Sequence, residues 1–214
     1  MSDSKPLSHG DESGFAFAQE MLQGDVTAAV NFDRLQKDAD GYIIMEYLLC
    51  EEDQSLKHGT TPFSSHPNRY MHLNRKKFIS LWDVAQALRA RLYLVNYAKV
   101  GTKYSNEIKL MKVTNVNANQ VASIDYCFTR SAFSRWFRLA NQACLDNGCV
   151  IDEPPNEFYY VVDKTGFYHK DTSCVFLRNC APDQYIRVLR GDDELLKKYH
   201  MCMSCMKLNV KEMK

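Results

Sequence analysis

The chain is apolar almost without a break over residues 42–49, YIIMEYLL, the pattern of a central strand buried on both faces. Before it, residues 30–35 alternate apolar and polar positions, and the turn chemistry Asp38, Ala39, Asp40, Gly41 lies between. Gly41 can take a positive φ, so the two runs predict a β-hairpin. Further strands are predicted over 92–98, 103–113 and 121–128, the last two joined by the polar stretch 115–120. Two segments follow the helical period. Over 76–89, Phe78, Leu81, Trp82, Ala85 and Leu88 fall on one face. From Thr129, a capping residue, to about 147, the inward residues are Phe133, Trp136, Phe137, Ala140 and Cys144, and Gly148 is the stop. A weaker helix is predicted over 15–23, with Phe15, Ala18 and Leu22 on one face and Gly24 closing it. Residues 1–14 read as a mobile tail, and 50–74 as a long polar loop, the kind that tends to carry function.

Residues 151–157, IDEPPNE, hold two prolines and three acids and read as a linker. After it, 158–162 and 166–168 predict a small hairpin, and 192–199 a short helix with acids first and Lys197 and Lys198 last, as the macrodipole favours. The expected organisation is a tail over 1–14, an α/β domain over 15–150, a linker, and a module over 158–214.

At 214 residues, 45% hydrophobic and 12% aromatic, the chain suits one sizeable domain with an appendage and a substantial core. No apolar run approaches the ~18 residues of a membrane span. The polar start, MSDSKPLSHGDESG, lacks a signal peptide's apolar stretch, so the eight cysteines read as reduced thiols and metal ligands in a cytoplasmic protein. A net charge of +1 provides no overall basic field, leaving any nucleic-acid contact to a local strip.

Cys202 and Cys205 form a C-x-x-C pair, which can reach one tetrahedral ion from a single turn. His169 and Cys174 offer a second half-site upstream. Two half-sites joined by one Zn²⁺ would hold a segment with little core of its own. The bland alternative is that these are buried thiols acting as small apolar residues. The set Tyr168, His169, Cys174, Leu177, Cys202 and Cys205 resembles the small zinc module of the Ada family, found in DNA alkylation-repair proteins and fused to nucleases. Met201, Met203 and Met206 stand where that family usually has a basic, proline-containing run. The fourth ligand stays open between His169, which fits the pattern, and His200, which is too near Cys202 to ligate without straining the turn.

Glu46 interrupts the apolar strand, and a carboxylate there must be paired, protonated or metal-bound, since burying it alone costs several kcal/mol. Asp33 lies on the preceding strand, so the two can hold one Mg²⁺ between them. The order of elements and these two acids resemble the PD-(D/E)XK nuclease superfamily over about 14–99. The resemblance implies an αβββαβ restriction-endonuclease-like core, with further strands and a helix added here. It also implies that Asp33 and Glu46 bind a catalytic Mg²⁺, with Glu20 of the first helix as an added acid. Leu48 stands where the family has its lysine. Lys76, Lys77 or Arg69 can supply that cation from the neighbouring segment, and Lys76 is the catalytic candidate.

The strip 66–77 gathers His66, Arg69, His72, Arg75, Lys76 and Lys77 around Tyr70, a candidate contact for nucleic acid, DNA before RNA. A solvated helix start explains it equally. No phosphate-binding P-loop, dinucleotide fingerprint, nucleophile elbow or H-E-x-x-H occurs. The leading expectation is therefore a Mg²⁺-dependent nuclease with a zinc module that holds substrate, a protein partner or a second copy. A non-catalytic binding protein on the same fold is the alternative. A third reading is an alkyl acceptor through a zinc-bound thiolate.

Overall fold

The structure is a computed structural model that describes residues 13–24, 31–145, 149–151, 154, 156–170, 174–177, 180, 184–190 and 197–205. Residues 1–12 of the expected tail, Val30, the Gly148 stop, Met206 and most of the helix read over 192–199 lie outside these residues, whereas Ser13 and Gly14, read as tail, begin a helix. The fold is mixed α/β with two sheets. The first has the order β1-β2-β3-β4-β5, from Arg34–Asp38, Gly41–Leu49, Arg91–Tyr97, Glu107–Val116 and Val121–Thr129. Strands β1 and β2 form the expected hairpin, with Asp38 opposite Gly41, whose φ of 128° needs a residue without a side chain. The first strand begins later than its alternation suggests, so Asp33 precedes it.

Strands β2 and β3 are parallel, and every other pairing in this sheet is antiparallel. The parallel pair requires a crossover, made by α2 (Glu52–His58) and α3 (Met71–Ala87). The region read as a long loop thus contains a helix. Its acids are at the first turn, its Lys57 and His58 at the last, and Gly59 closes it at φ 62°. Such a short polar helix has the dipole signature but no apolar stripe to reveal it. Among the described residues, two strands precede the crossover, where the αβββαβ core has three.

Helix α3 starts before the predicted 76 because Asn74, at φ −116° and ψ 16°, breaks its helical geometry. The first turn, Met71 included, therefore falls out of phase with the stripe. At the far end Arg89 takes φ 51°, and its N–H and that of Ala90 close on the carbonyls of Gln86 and Ala85, a Schellman ending without glycine. Phe78, Leu81 and Ala85 pack on Ile44, Leu92, Leu94 and Met111. Trp82 is only partly buried in that cluster and Leu88 is exposed, so the stripe is narrower than predicted.

On the opposite face α4 (Arg130–Leu145) sets Trp136, Ala132 and Ala140 against Ile43, Met45, Tyr93, Val95, Leu110 and Phe128. Thr129 caps it, its hydroxyl accepting from the Ala132 N–H at 3.4 Å. Alternation along β2 thus sends Ile43 and Met45 to α4, and Ile44, Glu46 and Leu48 to α3. The N-terminal helix α1 (Ser13–Leu22) shows no such partner. Of the face read from the sequence, Ala18 is exposed and Leu22 partly buried, and Phe17 and Met21 are exposed as well.

The second sheet has the order β8-β6-β7-β9, with β6 Phe158–Val162, β7 Phe167–His169, β8 Ile186–Leu189 and β9 His200–Met201. Its core is made of Phe158, Tyr160, Leu177, Cys174, Cys202 and Cys205, and Cys127 of β5 belongs to the same cluster with Phe63 beside it. The stretch between the sheets is tied to the first one. Ile151 is buried against α4, and its N–H donates to Asp38 at 2.8 Å. Glu157 accepts from the Thr129 N–H at 2.8 Å and from its hydroxyl at 3.0 Å.

Candidate functional site

Two constellations and one cleft stand out. The first is the quartet His169, Cys174, Cys202 and Cys205, all buried, with one ligand atom from each lying within 4.8 Å of the others. The parallel pairing of β7 with β9 builds it. The Cys202 N–H donates to the Tyr168 carbonyl at 2.9 Å, which sets the C-x-x-C turn beside His169 at the end of β7. His169 Nδ1 lies 3.2 Å from Cys174 Sγ, and that sulfur 3.9 Å from Cys202 Sγ. Of the two histidines left open by the sequence, the fold brings in His169 and leaves His200 exposed.

The electrostatics show what this quartet needs. Burial pushes the Cys205 thiol up to about 12, and the two neighbouring thiols push the same way. Cys174 is raised for the same leading reason. Opposing this, the backbone N–H groups of Phe176 and Lys170 point at Cys174 and Cys205. Donors aimed at sulfur favour thiolate, the form a metal takes. Three packed thiols with N–H groups directed at them fit a bound cation, which would replace sulfur–sulfur repulsion with ligation.

The second constellation is Glu46 with Lys77 and Asp33. Glu46 is 4% exposed, and Lys77, from the second turn of α3, forms an ion pair with its Oε1. Among the described residues Oε2 is buried with no hydrogen-bond partner of normal geometry, although the Asp33 backbone N–H also acts on the carboxylate. Asp33, exposed, has its Oδ2 fixed at 2.6 Å by the N–H of Tyr47, the residue after Glu46. Burial pushes the Glu46 carboxyl above the ordinary carboxylate range; Lys77 pulls it down and the Asp33 charge pushes it up again. The fold therefore anchors Asp33 on the backbone next to Glu46, close enough for its charge to act on the Glu46 carboxyl.

The remaining sequence candidates scatter. Lys77, read as a nucleic-acid contact, is the lysine at Glu46, whereas Lys76, read as catalytic, is exposed with no ion pair among the described residues. Glu20 lies on the exposed α1 and is not among the groups acting on Glu46. His66 is turned into the fold. Its Nδ1 accepts from the Asn68 N–H at 3.2 Å, so its Nε2 faces Ser123 Oγ, at 3.3 Å, as donor. Burial lowers its pKa, which leaves it neutral and poorly suited to phosphate. Arg69, His72 and Arg75 are exposed.

Between these elements opens a cleft of about 540 Å³ at the carboxyl ends of the parallel strands β2 and β3, where open α/β sheets bind ligands. Lys77, Arg69, Tyr70 and Leu73 line one wall, Tyr47 to Glu51 follow the end of β2, and Asn96 of β3 and Ser65 complete it. Sequence reasoning missed Asn96. The signal was there: a lone amide inside the apolar run LYLVNYA. It also missed Lys109, 5% exposed on β4, which pairs with Asp125 at 3.4 Å; Ser123 donates to the same carboxylate at 2.5 Å. That buried network seats the 59–70 segment on the sheet.

In comparison with known proteins, no family model, no curated protein and no solved structure matches the chain. Among the described residues, no helix is long and apolar enough to cross a membrane.

Proposed function

We propose that the protein is a divalent-metal-dependent phosphodiesterase acting on nucleic acid, with DNA the first substrate to test. Asp33 and Glu46 hold the catalytic ion, Lys77 serves as the cation that Leu48 replaces in the strand, and the His169, Cys174, Cys202, Cys205 quartet holds structural Zn²⁺. The observation that carries this reading is the buried Glu46 carboxylate, with one oxygen on Lys77 and the other without a hydrogen-bond partner of normal geometry among the described residues, beside the anchored Asp33. A Mg²⁺ or Mn²⁺ ion at the two acids would supply an activated water and neutralise charge on a scissile phosphate. Tyr47 holds Asp33 in place through its N–H. Lys77, near the cleft, can release Glu46 to a metal and turn to a phosphate oxygen. The resemblance to the PD-(D/E)XK superfamily supports this assignment of roles. Three thiols and an imidazole are a zinc ligand set.

The Lys77–Glu46 ion pair also favours a second reading, a non-catalytic nucleic-acid- or protein-binding protein whose zinc is structural, because it neutralises the carboxylate without metal. Thermal melts decide between them. Under the first reading Mg²⁺ or Mn²⁺ raises the melting temperature, since the ion binds the native state preferentially. Glu46→Gln abolishes both that rise and Mg²⁺-dependent cleavage of labelled single- and double-stranded DNA and RNA. No metal-linked rise and no cleavage of any of them establishes the second reading.

A further inference from the structure

The cleft beside the two acids holds a polar group that no described residue partners. Asn96 is fully buried, and its Nδ2 donates to the Pro62 carbonyl at 3.2 Å and the Ser65 carbonyl at 2.8 Å. Two carbonyls fix the amide's orientation, since only its NH₂ end can face them. Its Oδ1 is thereby turned away from the 59–70 segment and is left buried with no partner among the described residues. An orphaned acceptor in a buried site costs about 1–3 kcal/mol until a donor arrives. Asn96 lines the cleft, so the donor can come from a ligand.

The rest of the lining describes that ligand. Arg69, just before α3, and Lys77 of α3, which Glu46 also holds, place two cations on one wall, suited to a phosphate. Tyr70, Leu73 and Leu48 provide the flat apolar surface on which a ring packs. At about 540 Å³ the cleft is within the range of small-ligand sites. We propose that it binds one unpaired nucleotide, with its phosphate toward Arg69 and Lys77 and a base N–H donated to Asn96 Oδ1. A base-paired nucleotide is excluded because its faces are stacked within the duplex and cannot lie on Tyr70 and Leu73.

The proposal rests on the nucleic-acid reading but not on catalysis, and the test separates them. The full-length protein is titrated with AMP, GMP, CMP and UMP, with a five-residue single strand and with a blunt duplex, all without added Mg²⁺ or Mn²⁺. Binding is read by thermal shift and by fluorescence of labelled oligonucleotides. Saturable binding of a mononucleotide or the single strand, at least about fivefold tighter than the duplex, is expected. A mononucleotide that binds alone indicates a free-nucleotide site; one that binds only within the strand indicates a nucleic-acid site. For the preferred base, the analogue with that N–H replaced by C–H or N-methyl should bind about tenfold more weakly, because Asn96 Oδ1 is again unpaired. Asn96→Ala loosens the 59–70 segment, so the protein side is tested at exposed positions. Leu73→Glu, at a residue 76% exposed, and Arg69→Ala should each weaken binding several-fold at unchanged melting temperature. Glu46→Gln should retain binding even where cleavage is lost. Absence of binding by any nucleotide, equal affinity for the duplex, or indifference to both cleft substitutions overturns the proposal.

Discussion

The two sheets are held together by different physics. The first buries Ile43, Met45, Leu110 and Phe128 on one face and Ile44, Leu81, Leu94 and Met111 on the other, each fully or almost fully removed from water. The second has Tyr160 and Phe158 at its centre, but much of its remaining core consists of cysteines. One sheet is stabilised by area, on the order of 25 cal/mol per Å² of apolar surface. The other leaves Phe167, Val175, Phe176, Ile186 and Met203 exposed, and its His169, Cys174, Cys202, Cys205 quartet could hold a metal that ties it together. They meet where Phe63 packs edge-on to Phe158, ring centroids 5.4 Å apart, with Arg187 over the Phe63 ring at 5.1 Å. Loosening of the small sheet at that quartet should therefore be felt in the large one.

The largest effect is expected from Cys202→Ser. Structural zinc sites contribute on the order of 10 kcal/mol to small modules, so the second sheet should unfold, with loss of bound zinc by elemental analysis. The first sheet should also melt lower by several degrees, because Phe63 and Cys127 lose their packing. A metal-free protein whose second sheet is still folded would remove the contrast between the two regions.

Within the first sheet, the comparison is between two tryptophans. Trp136 is 7% exposed and packs against Tyr93, Phe128 and Phe133; Trp136→Ala should cost about 3–5 kcal/mol in denaturant melts. Trp82 is half-buried, so Trp82→Ala should cost less than half as much. Equal costs would mean that the α3 side is packed more completely than its narrow stripe indicates.

A further comparison concerns two buried carboxylates of the first sheet. Burial pushes Asp38 up, but Arg91 and the N–H groups of Ile151 and Asp40 outweigh it, and its pKa lies below the ordinary value. Its contribution is present above the unfolded carboxylate pKa and is lost as pH falls through the folded one. Glu46 has the opposite sign: its contribution is present below the unfolded pKa and is lost as pH rises through the raised folded one. Asp38→Asn should thus destabilise at pH 7, by about 3 kcal/mol for a broken buried pair, with the difference shrinking in acid. Without metal, Glu46→Gln should be near neutral or stabilising at pH 7, and Lys77→Met destabilising. Stability profiles from pH 3 to 8 read all three. The smallest effect belongs to Arg75→Ala, exposed on α3, where a change within about 0.5 kcal/mol is expected.

The sequence by itself determined the local features. An apolar run such as 42–49 must be a buried strand, Asp38 to Gly41 must turn, and a residue series such as Phe78, Leu81 and Ala85 must face a core, because these follow from side-chain period and backbone freedom. The pairing of two cysteines by C-x-x-C spacing is local in the same sense. What the sequence left open is decided by contacts between distant residues. Only the parallel pairing of β7 with β9 selects His169 over His200. Only the docking of α3 on β2 puts Lys77, rather than Lys76, on Glu46. Only the alignment of β2 with β3 and the seating of the 59–70 segment open the cleft and leave Asn96 with an unanswered oxygen. Single-residue phase and register are invisible in a linear pattern, because a shift of one residue rotates a helical side chain by about 100° and moves a strand side chain to the other face.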